Sequence, residues 1–277
     1  MRMVASAKLH HTQSMTEAFL RYKDELQLTV DKLQLTVDSS MRTDDQQGES
    51  QLSALNTQHS TLLVPVSSNS GLCGAFNSNI AKATMRRIQE LESEGKQVRL
   101  LPIGKKIAHE LKNAHKDFYA DFVNMLDKIE KSNTFTDVAN LVVFADELRQ
   151  NNEIDEVEFL YHHFKSMGTQ IIQTDKMNES RHMNPNVDTN AQHSTYLTEP
   201  SPVELLTSLF PRLLNAQVYG ILLDSLTSEH AARMLAMQTA DDNANDLLKE
   251  LTLLYNKTRQ QTITTELIDI MGGKVER

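Results

Sequence analysis

The stretch RLLNAQVYGILLDSLTSEHAARMLAMQTADDNANDLLKELTLLYNKTRQQTITTELIDIMGG, residues 212–273, decides the fold of this chain of 277 residues. No proline follows Pro211, and the glycines of the stretch are Gly220 and the pair Gly272-Gly273. Its apolar residues keep helical spacing on both sides of a polar patch at residues 238–246. About 60 residues can therefore form one helix, roughly 90 Å long. A helix of that length cannot fold around a compact core, so it needs a helical partner.

The N-terminal segment supplies that partner. Its apolar residues recur at steps of three and four positions, which is the spacing of a coiled-coil seam. The residues of this stripe are Met15, Phe19, Tyr22, Leu26, Val30, Leu33 and Val37. Residues 38–51 are polar and rich in turn formers, which predicts a loop. We therefore expect an antiparallel coiled coil in which residues 1–51 form the first helix and the loop, and residues 203–277 form the long second helix.

Between these helices, residues 52–202 alternate short apolar runs with helical patterns, which is typical of an α/β sheet domain. Strands are predicted near residues 61–66, 98–103, 156–164 and 169–174, and helices near residues 77–94, 105–112 and 134–150. Residues 177–202 are polar and rich in proline and asparagine, which indicates a surface loop. The predicted fold class is α/β plus coiled coil, with a small Rossmann-like α/β domain inserted between the terminal helices.

The composition narrows the classes of function. The net charge of −9 disfavours general nucleic-acid binding. The single cysteine, Cys73, excludes an internal disulfide and a cysteine-based zinc site, and it fits a reducing compartment. The chain has no run of about 18 apolar residues that could span a membrane, and its N-terminus lacks the apolar core of a signal peptide.

The segment GLCGAFNSN, residues 71–79, has the strand–turn–helix context of a nucleotide site or a nucleophile elbow. A P-loop needs a lysine and a serine or threonine after its last glycine, but an alanine and a phenylalanine follow here. The dinucleotide fingerprint GxGxxG is also absent. A nucleophilic Cys73 would need a base, and no histidine has a sequence context that marks it as one. We predict that Gly71 and Gly74 form a turn and that Cys73 packs beneath it.

Metal and cofactor motifs are also missing. His109 and His115 lack a partner at helical spacing, and there is no HExxH motif, so no metal or cofactor is predicted. The acidic group of Asp241, Asp242 and Asp246 is interpreted as a solvated helix face.

The last helix carries more polar residues than a simple seam requires. They are Arg233, Asn243, Asn256, Lys257, Arg259, Gln260, Thr264 and Glu266, spread around the helix. One interpretation is a solvated face, and the other is a shaft that touches different partners on different sides. Periodicity does not decide between the two.

Three segments resemble motifs of the ATP synthase gamma subunit family, the central rotor shaft. The family motif S-[DN]-[RK]-G-L-C-G-x-[FL]-N corresponds to residues 68–77. The motifs S-E-x-A-A-R-M-x-A-M and Y-N-K-x-R-Q-x-x-I-T-x-E of its last helix correspond to residues 228–237 and 255–266. The start, MRMVASAK, is similar to the family's M-x-M-V-A-A-S-K segment, so the resemblance covers essentially the whole chain.

The chain departs from the family pattern at three places. Ser70 stands where the family usually has arginine or lysine, and residues 271–274 replace a Gly-Ala ending. The family also has about twenty further residues of helix before the M-x-M-V segment. We therefore expect that the true start lies upstream of Met1 or that the chain is shortened. If the chain starts at Met1, Ile263, Leu267 and Ile270 are expected to be exposed unless a partner covers them.

The resemblance implies a mechanical function without catalysis. Proton flow turns the membrane c-ring and the gamma subunit with it, and the asymmetric shaft drives the catalytic beta subunits through the conformations that make ATP. By family analogy, Arg233, Gln260, Thr264 and Glu266 face the ring of alpha and beta subunits, and Met1 lies near the same bearing region. No residue of the chain is expected to be catalytic.

The resemblance also implies partners and a location. The α/β domain is expected near the epsilon subunit and the c-ring, with the membrane contacted only through the complex. The expected location is the cytoplasmic face of a bacterial inner membrane. Two alternatives remain open: a structural coiled-coil adaptor with an α/β head and no rotary role, and a hydrolase that depends on Cys73.

Overall fold

The computed structural model describes residues 2–41, 60–112, 118–132, 135–177, 199 and 201–272. Its elements are α1 (Arg2–Met41), β1 (Ser60–Pro65), α2 (Phe76–Ser93), β2 (Gln97–Leu100), α3 (Lys105–Leu111), α4 (Met125–Ser132), α5 (Phe135–Gln150), β3 (Glu156–Ser166), β4 (Thr169–Lys176) and α6 (Pro202–Gly272). The predicted fold class is confirmed: two long helices flank a small mixed sheet that is layered with helices.

Several elements differ from the sequence-based prediction. Helix α1 continues to Met41, so the predicted loop begins later than residue 38, and the rest of that loop lies outside the described residues. Helix α6 begins at Pro202 and runs through Pro211, although a proline removes one hydrogen bond of the helix ladder. Helix α4 was not predicted, because its eight residues are too few to show a clear period.

Helices α1 and α6 pair as an antiparallel coiled coil. Thr16 Oγ1 lies 3.1 Å from Thr227 Oγ1, and Gln217 Nε2 donates to Gln27 Oε1 at 3.3 Å. As residue numbers rise along α1, those of the partners on α6 fall. Helix α1 and the first half of α6 therefore form one rod, as the apolar periodicities predict.

The seam of α1 differs from the predicted stripe. One stripe of side chains on the side of α6 follows steps of four and three: Ala5, Leu9, Thr12, Thr16, Phe19, Lys23, Leu26, Val30 and Leu33, with Met15 and Gln27 beside it. Tyr22, which was predicted to lie in the seam, is 52% exposed, and the side chain of Val37 lies outside the described residues. Thr12 can lie in the seam because its buried hydroxyl donates to the Leu9 carbonyl within α1 and needs no outside partner. The seam therefore continues through Thr12 back to Ala5.

The sheet has the order β2-β1-β3-β4, with β1 parallel to β2 and β3, and with β4 antiparallel to β3. Helices α2 and α3 cover one face, where Ile88 shares a buried cluster with Leu63. Helices α4, α5 and α6 cover the other face, where Val142 and Leu222 share a buried cluster with Phe159. The first three strands thus form the doubly covered, Rossmann-like sheet that the sequence predicts.

The middle of α6 is enclosed on several sides. Most of its side chains between residues 213 and 231 are buried, because α1 covers one side and the sheet domain covers the others. At the carboxyl end of β3, the Ser228 hydroxyl donates to the His162 carbonyl at 2.9 Å, and Asp224 Oδ1 accepts from the Phe164 N–H at 2.9 Å. Open α/β sheets bind ligands in the crevice beyond the carboxyl ends of their strands. Here α6 fills that position.

Beyond the sheet domain, α6 continues alone. Every side chain from residue 238 to residue 271 is exposed, over about 50 Å of helix. Ile263 is 48% exposed, Leu267 is 56% exposed and Ile270 is 69% exposed. These exposures confirm the expectation that Ile263, Leu267 and Ile270 lack a cover among the residues that the structure describes.

Hydrogen exchange will distinguish the two parts of α6 in the isolated chain. Backbone amides in residues 245–270 are expected to exchange rapidly, because an unpacked helix frays and tertiary packing supplies most helical stability. Amides in residues 214–231 of the same helix provide the internal control and are expected to exchange slowly. Strong protection across both parts would show that the bare segment is stabilised by something other than packing on this chain.

Candidate functional site

Asn77 organises the Gly-rich turn between β1 and α2. Its Oδ1 accepts a hydrogen bond from the Ser68 N–H at 3.1 Å, and its Nδ2 donates to Cys73 Sγ at 3.2 Å. Phe76 stacks on the buried ring of His162, with the two ring centroids 4.0 Å apart. Cys73 is 2% exposed, which confirms that it packs beneath the turn. The motif therefore fastens the end of β1 to the start of α2.

The backbone of the turn uses the two predicted glycines differently. Gly74 has a positive φ of 59°, whereas Gly71 does not, and a Cβ added at Gly71 would meet nothing within 4 Å. The second left-handed residue of the turn is the exposed Leu72, with φ 64°. The closest backbone approach is at Gly104, after β2, where an added Cβ would lie 2.3 Å from the Ser67 carbonyl oxygen. Glycine is therefore required at Gly104 and favoured at Gly74, but not at Gly71.

Arg233 clamps α6 to this turn. Its Nη2 donates to Glu229 Oε1 at 2.6 Å and to Ser70 Oγ at 2.8 Å, and its Nε donates to the Gly71 carbonyl at 3.4 Å. The side chains of Arg233 and Glu229 are only 13% and 8% exposed. Ser70 replaces the arginine or lysine of the family pattern, and its hydroxyl can accept a hydrogen bond from Arg233 where a cation could not.

A second polar contact, at His230 next to Glu229, joins helices α1, α4 and α6. Glu130 of α4 lies 2.6 Å from Lys8 Nζ of α1 and 3.6 Å from His230 Nε2 of α6. The other ring nitrogen of His230 lies 3.4 Å from Arg233 Nη1. His230 is 2% exposed, so this contact and the Arg233 clamp form one buried polar junction between the coiled coil and the sheet domain.

Burial shifts the pKa values of the titratable groups in this junction. It raises the pKa of the Glu229 carboxyl, an effect that the nearby Arg233 cation opposes. Burial also lowers the pKa of His230, since the charged imidazolium would lose its hydration, while Glu130 acts in the opposite direction. Burial alone lowers the pKa of His162 to about 4. Both histidines are therefore neutral at pH values near 7.

The predicted ring-facing residues do not form one cluster. Arg233 lies at the junction, about 40 Å along the helix from Gln260. Gln260, Thr264 and Glu266 are exposed on the bare part of α6, and Glu266 points roughly 120° around the helix from Gln260. Met1 lies outside the described residues. The role of these residues in partner binding stays a prediction.

The site shows no arrangement for catalysis in the part of the chain that the structure describes. The polar neighbours of Cys73 are Ser68, Ser70 and Asn77, none of which can serve as a base for the thiol. No group of three or more His, Cys, Asp or Glu side chains within the described ranges could hold a metal ion. None of the described helices combines the length and the hydropathy that are needed to span a bilayer.

Sequence reasoning missed several residues of the junction. Glu229 and Arg233 stand four positions apart on a helix, and this spacing of opposite charges was a readable signal. The contact between Lys8 and Glu130 had no such signal, because it joins residues far apart in the sequence. His230 occupies the variable position of the S-E-x-A-A-R-M motif, so the family pattern did not mark it.

The fold and these contacts define a helical shaft that carries a clamped α/β side domain. A family model described as ATP synthase matches residues 1–275. The ATP synthase gamma chain of Parabacteroides distasonis is 44% identical over 275 residues, which cover 99% of this chain and 90% of that protein. The gamma chain of Bacteroides fragilis is 37% identical over 279 residues, covering 99% of this chain and 92% of that protein. The chain belongs to the ATP synthase gamma family.

Solved structures support the fold. A chain from the central stalk and c-ring of Tetrahymena thermophila mitochondrial ATP synthase is similar with a TM-score of 0.55 and 23% identity, over 87% of this chain and 97% of that chain. A chain from Euglena gracilis mitochondrial ATP synthase has a TM-score of 0.55 and 17% identity, over 98% of this chain and 94% of that chain. At this level of identity the likeness concerns the architecture of shaft and side domain.

Acid is expected to destabilise the chain through its buried histidines. The pKa of His162 falls from 6.5 to about 4 on folding, so the unfolded state binds more protons between these values. The stabilisation is therefore complete above about pH 6.5 and is lost as the pH falls towards about 4, with a loss of about 2 kcal/mol between about pH 7 and about pH 5. Urea unfolding of His162→Phe should show a smaller change over this range, and the exposed-site control His109→Gln should match the wild type. An equal pH dependence in His162→Phe would contradict the assignment.

Removing the Arg233 clamp is expected to destabilise the chain by about 3–5 kcal/mol, because Arg233→Ala leaves the Glu229 carboxylate buried without its partner. Chemical denaturation measures the change. Lys249→Ala is the matched control, since it removes an ion pair with Asp246 on the same helix whose side chains are both 75% exposed. That control should cost less than about 1 kcal/mol. The double variant Arg233→Met/Glu229→Gln should recover part of the loss, and equal effects of Arg233→Ala and Lys249→Ala would refute the clamp.

Proposed function

We infer that the chain is the non-catalytic gamma subunit of a proton-translocating ATP synthase. It serves as the central-stalk rotor that couples proton flow through the membrane sector to ATP synthesis at the alpha/beta ring. The observation that carries this inference is the bare segment of α6, residues 238–271, which projects about 50 Å beyond the side domain. A segment that exposes Leu251, Leu254 and Ile263 needs a cover from outside the residues that the structure describes, and the alpha/beta ring fits that role.

The polar residues of the bare segment fit contacts that change during rotation. Gln260 and Thr264 share one side of the helix, and Glu266 lies on another, so a turning shaft presents them to different neighbours in sequence. Shifting a catalytic site from a ratio of 1:99 to 99:1 between two states takes roughly 5.5 kcal/mol of differential binding. A few charge-assisted hydrogen bonds of about 1.5–3 kcal/mol each supply that amount. We propose these three residues, together with Met1, as contacts to the alpha/beta ring.

Arg233 has a more specific place in this proposal. Because its guanidinium is already bonded to Glu229, Ser70 and Gly71, its main contribution is to hold the shaft on the side domain. A contact with the alpha/beta ring would use the remaining exposed part of the side chain, which is 13% of its surface. Torque that enters at the side domain then passes through this clamp to α6.

The side domain is proposed to lie near the epsilon subunit and the c-ring, at the cytoplasmic face of a bacterial inner membrane. This placement is supported by the bacterial sources of the relatives and by the similar chain in a structure of central stalk and c-ring. The adaptor without a rotary role has no support among these relatives. The hydrolase is disfavoured because Cys73 is buried and has no base beside it.

Alanine substitutions on the bare segment test the proposal. Glu266→Ala, and the double variant Gln260→Ala/Thr264→Ala, should leave the fold unchanged because these side chains are exposed. In the assembled complex each is expected to lower ATP synthesis by about tenfold or more, since one charge-assisted contact is worth at least about 1.5 kcal/mol. ATP synthesis and ATP-driven proton pumping are measured in membrane vesicles.

Asp246→Ala and Lys249→Ala serve as matched controls, because both residues are equally exposed on the same helix and were not predicted to bind the ring. They are expected to retain the wild-type rates. Failure of the wild-type chain to assemble with alpha and beta subunits, even with an N-terminal helical extension, would sink the rotor assignment. Wild-type rates in the Glu266 and Gln260/Thr264 variants would remove only the assigned contacts.

A further inference from the structure

The ring of His230 lies between two groups of opposite charge in the buried polar junction. On one side Arg233 Nη1 lies 3.4 Å from Nδ1 of the ring, and on the other side Glu130 Oε1 lies 3.6 Å from Nε2. Because a guanidinium can only donate hydrogen bonds, Nδ1 must be the acceptor in its contact with Arg233. The neutral ring therefore carries its proton on Nε2, which faces the Glu130 carboxylate.

A second proton on His230 is incompatible with this contact. It would occupy Nδ1, and the imidazolium would then face Arg233 with donor against donor and positive charge against positive charge. The same guanidinium holds the Gly-rich turn, through Ser70 Oγ at 2.8 Å and the Gly71 carbonyl at 3.4 Å. A protonated His230 and a closed Arg233 clamp therefore exclude each other.

The surroundings of His230 keep it neutral while the clamp is closed. Burial lowers the pKa of His230 to about 4, Glu130 of α4 acts to raise it, and the cations of Arg233 and Lys8 act to lower it. Lys8 Nζ of α1 lies 2.6 Å from Glu130 Oε1, so part of the attraction of this carboxylate for an imidazolium is already used. Once the junction opens to water, the pKa of His230 returns to its ordinary value of about 6.5.

Two further carboxyl groups act on the junction. Asp127 of α4 pairs with Lys105 at the surface, 3.4 Å away, and Glu229 of α6 accepts from Arg233 Nη2 at 2.6 Å. Burial raises the pKa of Glu229, so the closed junction holds a proton on this carboxyl more tightly than the open one, and Glu229 opposes the effect of His230 in acid. This opposing effect is common to the wild type and to variants at position 230, so comparing them isolates His230.

Opening of the junction is therefore linked to proton uptake by His230. Between about pH 6.5 and about pH 4 the open form binds a proton on His230 and the closed form does not. The stabilisation of the closed clamp by neutral His230 is complete above about pH 6.5 and is lost as the pH falls towards about 4. With these two values, the contribution of His230 raises the equilibrium constant for opening about twentyfold between about pH 7 and about pH 5.

We propose that His230 is an acid-sensitive latch on the contact between helix α6 and the Gly-rich turn, and that its protonation releases Arg233 from the turn. Every group in this latch belongs to the chain itself, so the proposal holds or fails independently of the rotor assignment. Its consequence for rotation does rest on the proposed function: with the clamp open, the side domain passes less torque to the shaft.

Cys73 provides a reporter for the opening of the turn. It is the single cysteine of the chain and is 2% exposed beneath the turn, so a thiol reagent labels it when the turn opens. A dithiodipyridine reagent labels thiols in acid as well as at neutral pH. The labelling rate of the isolated chain is divided by that of a synthetic peptide of residues 70–76 at the same pH, which removes the intrinsic pH dependence of the thiol. When reclosing is faster than labelling, this ratio is the equilibrium constant for opening.

His230→Asn removes the proton site and keeps the clamp, because the asparagine amide oxygen can take the place of Nδ1 as the acceptor. Between about pH 7 and about pH 5 the ratio should rise about twentyfold more in the wild type than in His230→Asn. His11→Asn is the matched control, since His11 is exposed on α1, and it should behave like the wild type. An equal pH dependence in the wild type and in His230→Asn would overturn the latch.

Glu229→Gln gives a second reading that does not depend on how well His230→Asn folds. The amide oxygen still accepts from Arg233, but the opposing titration of the carboxyl is gone. In this variant the ratio should rise steadily as the pH falls below about 6.5. A ratio that stays constant down to about pH 5 in Glu229→Gln would also overturn the proposal.

His162 is the competing source of acid sensitivity, because it is buried beside the turn and stacks on Phe76. If His162 were responsible, the pH dependence of labelling would persist in His230→Asn and vanish in His162→Phe, which would refute the latch. Low concentrations of urea separate local from global opening, since a local opening exposes little surface and its labelling rate hardly changes with urea. Labelling at about pH 5 that rises with urea as steeply as global unfolding would show that no local latch exists.

Discussion

The burial of the middle of α6 is the constraint on which the rest of the structure depends. Residues 213–231 are buried on most sides of the helix, so no single neighbour can cover them. Helix α1 covers one side, and the sheet and helix α5 of the sheet domain cover the others. Because one stretch of helix is shared by the rod and the domain, the two cannot move independently without exposing that stretch. The polar junction of Arg233, Glu229 and His230 sits at the end of this buried stretch and fixes its rotation.

Helix α6 also explains why the Gly-rich turn of residues 71–79 resembles a nucleotide-binding turn but has a structural role. In an open α/β sheet, the space beyond the carboxyl ends of the strands is where a ligand normally binds. In this chain Ser228 and Asp224 bond to the backbone of β3 in that space, and Arg233 bonds to the turn after β1. Helix α6 thus occupies the position where a ligand would bind, and the Gly-rich turn binds α6 through Arg233. A turn that resembles a phosphate-binding loop therefore does not by itself indicate a phosphate site, because a helix can fill the space where the phosphate would bind.

The strands, and every helix except α4, could be predicted in their order along the chain, because apolar periodicity reports which side of an element is buried. Periodicity failed where burial depends on hydrogen bonding. Thr12 and Thr16 were not assigned to the seam, because hydroxyls that bond within their own helix can be buried like apolar groups. Tyr22 was assigned to it wrongly, since its aromatic ring rests beside Phe19 at the margin of the rod. Of the junction, the pair Glu229–Arg233 was readable from helical spacing, whereas Lys8–Glu130 depends on the docking of α4, which no local pattern reports.

The bare segment of α6 has a mechanical consequence. Elements loaded in series carry the same torque, and each twists in proportion to its compliance. The paired length of α1 and α6, braced by the side domain, is the stiff element, and the single helix beyond it is the soft one. Under a torque along the shaft, twist in the described residues is therefore concentrated in residues 238–271.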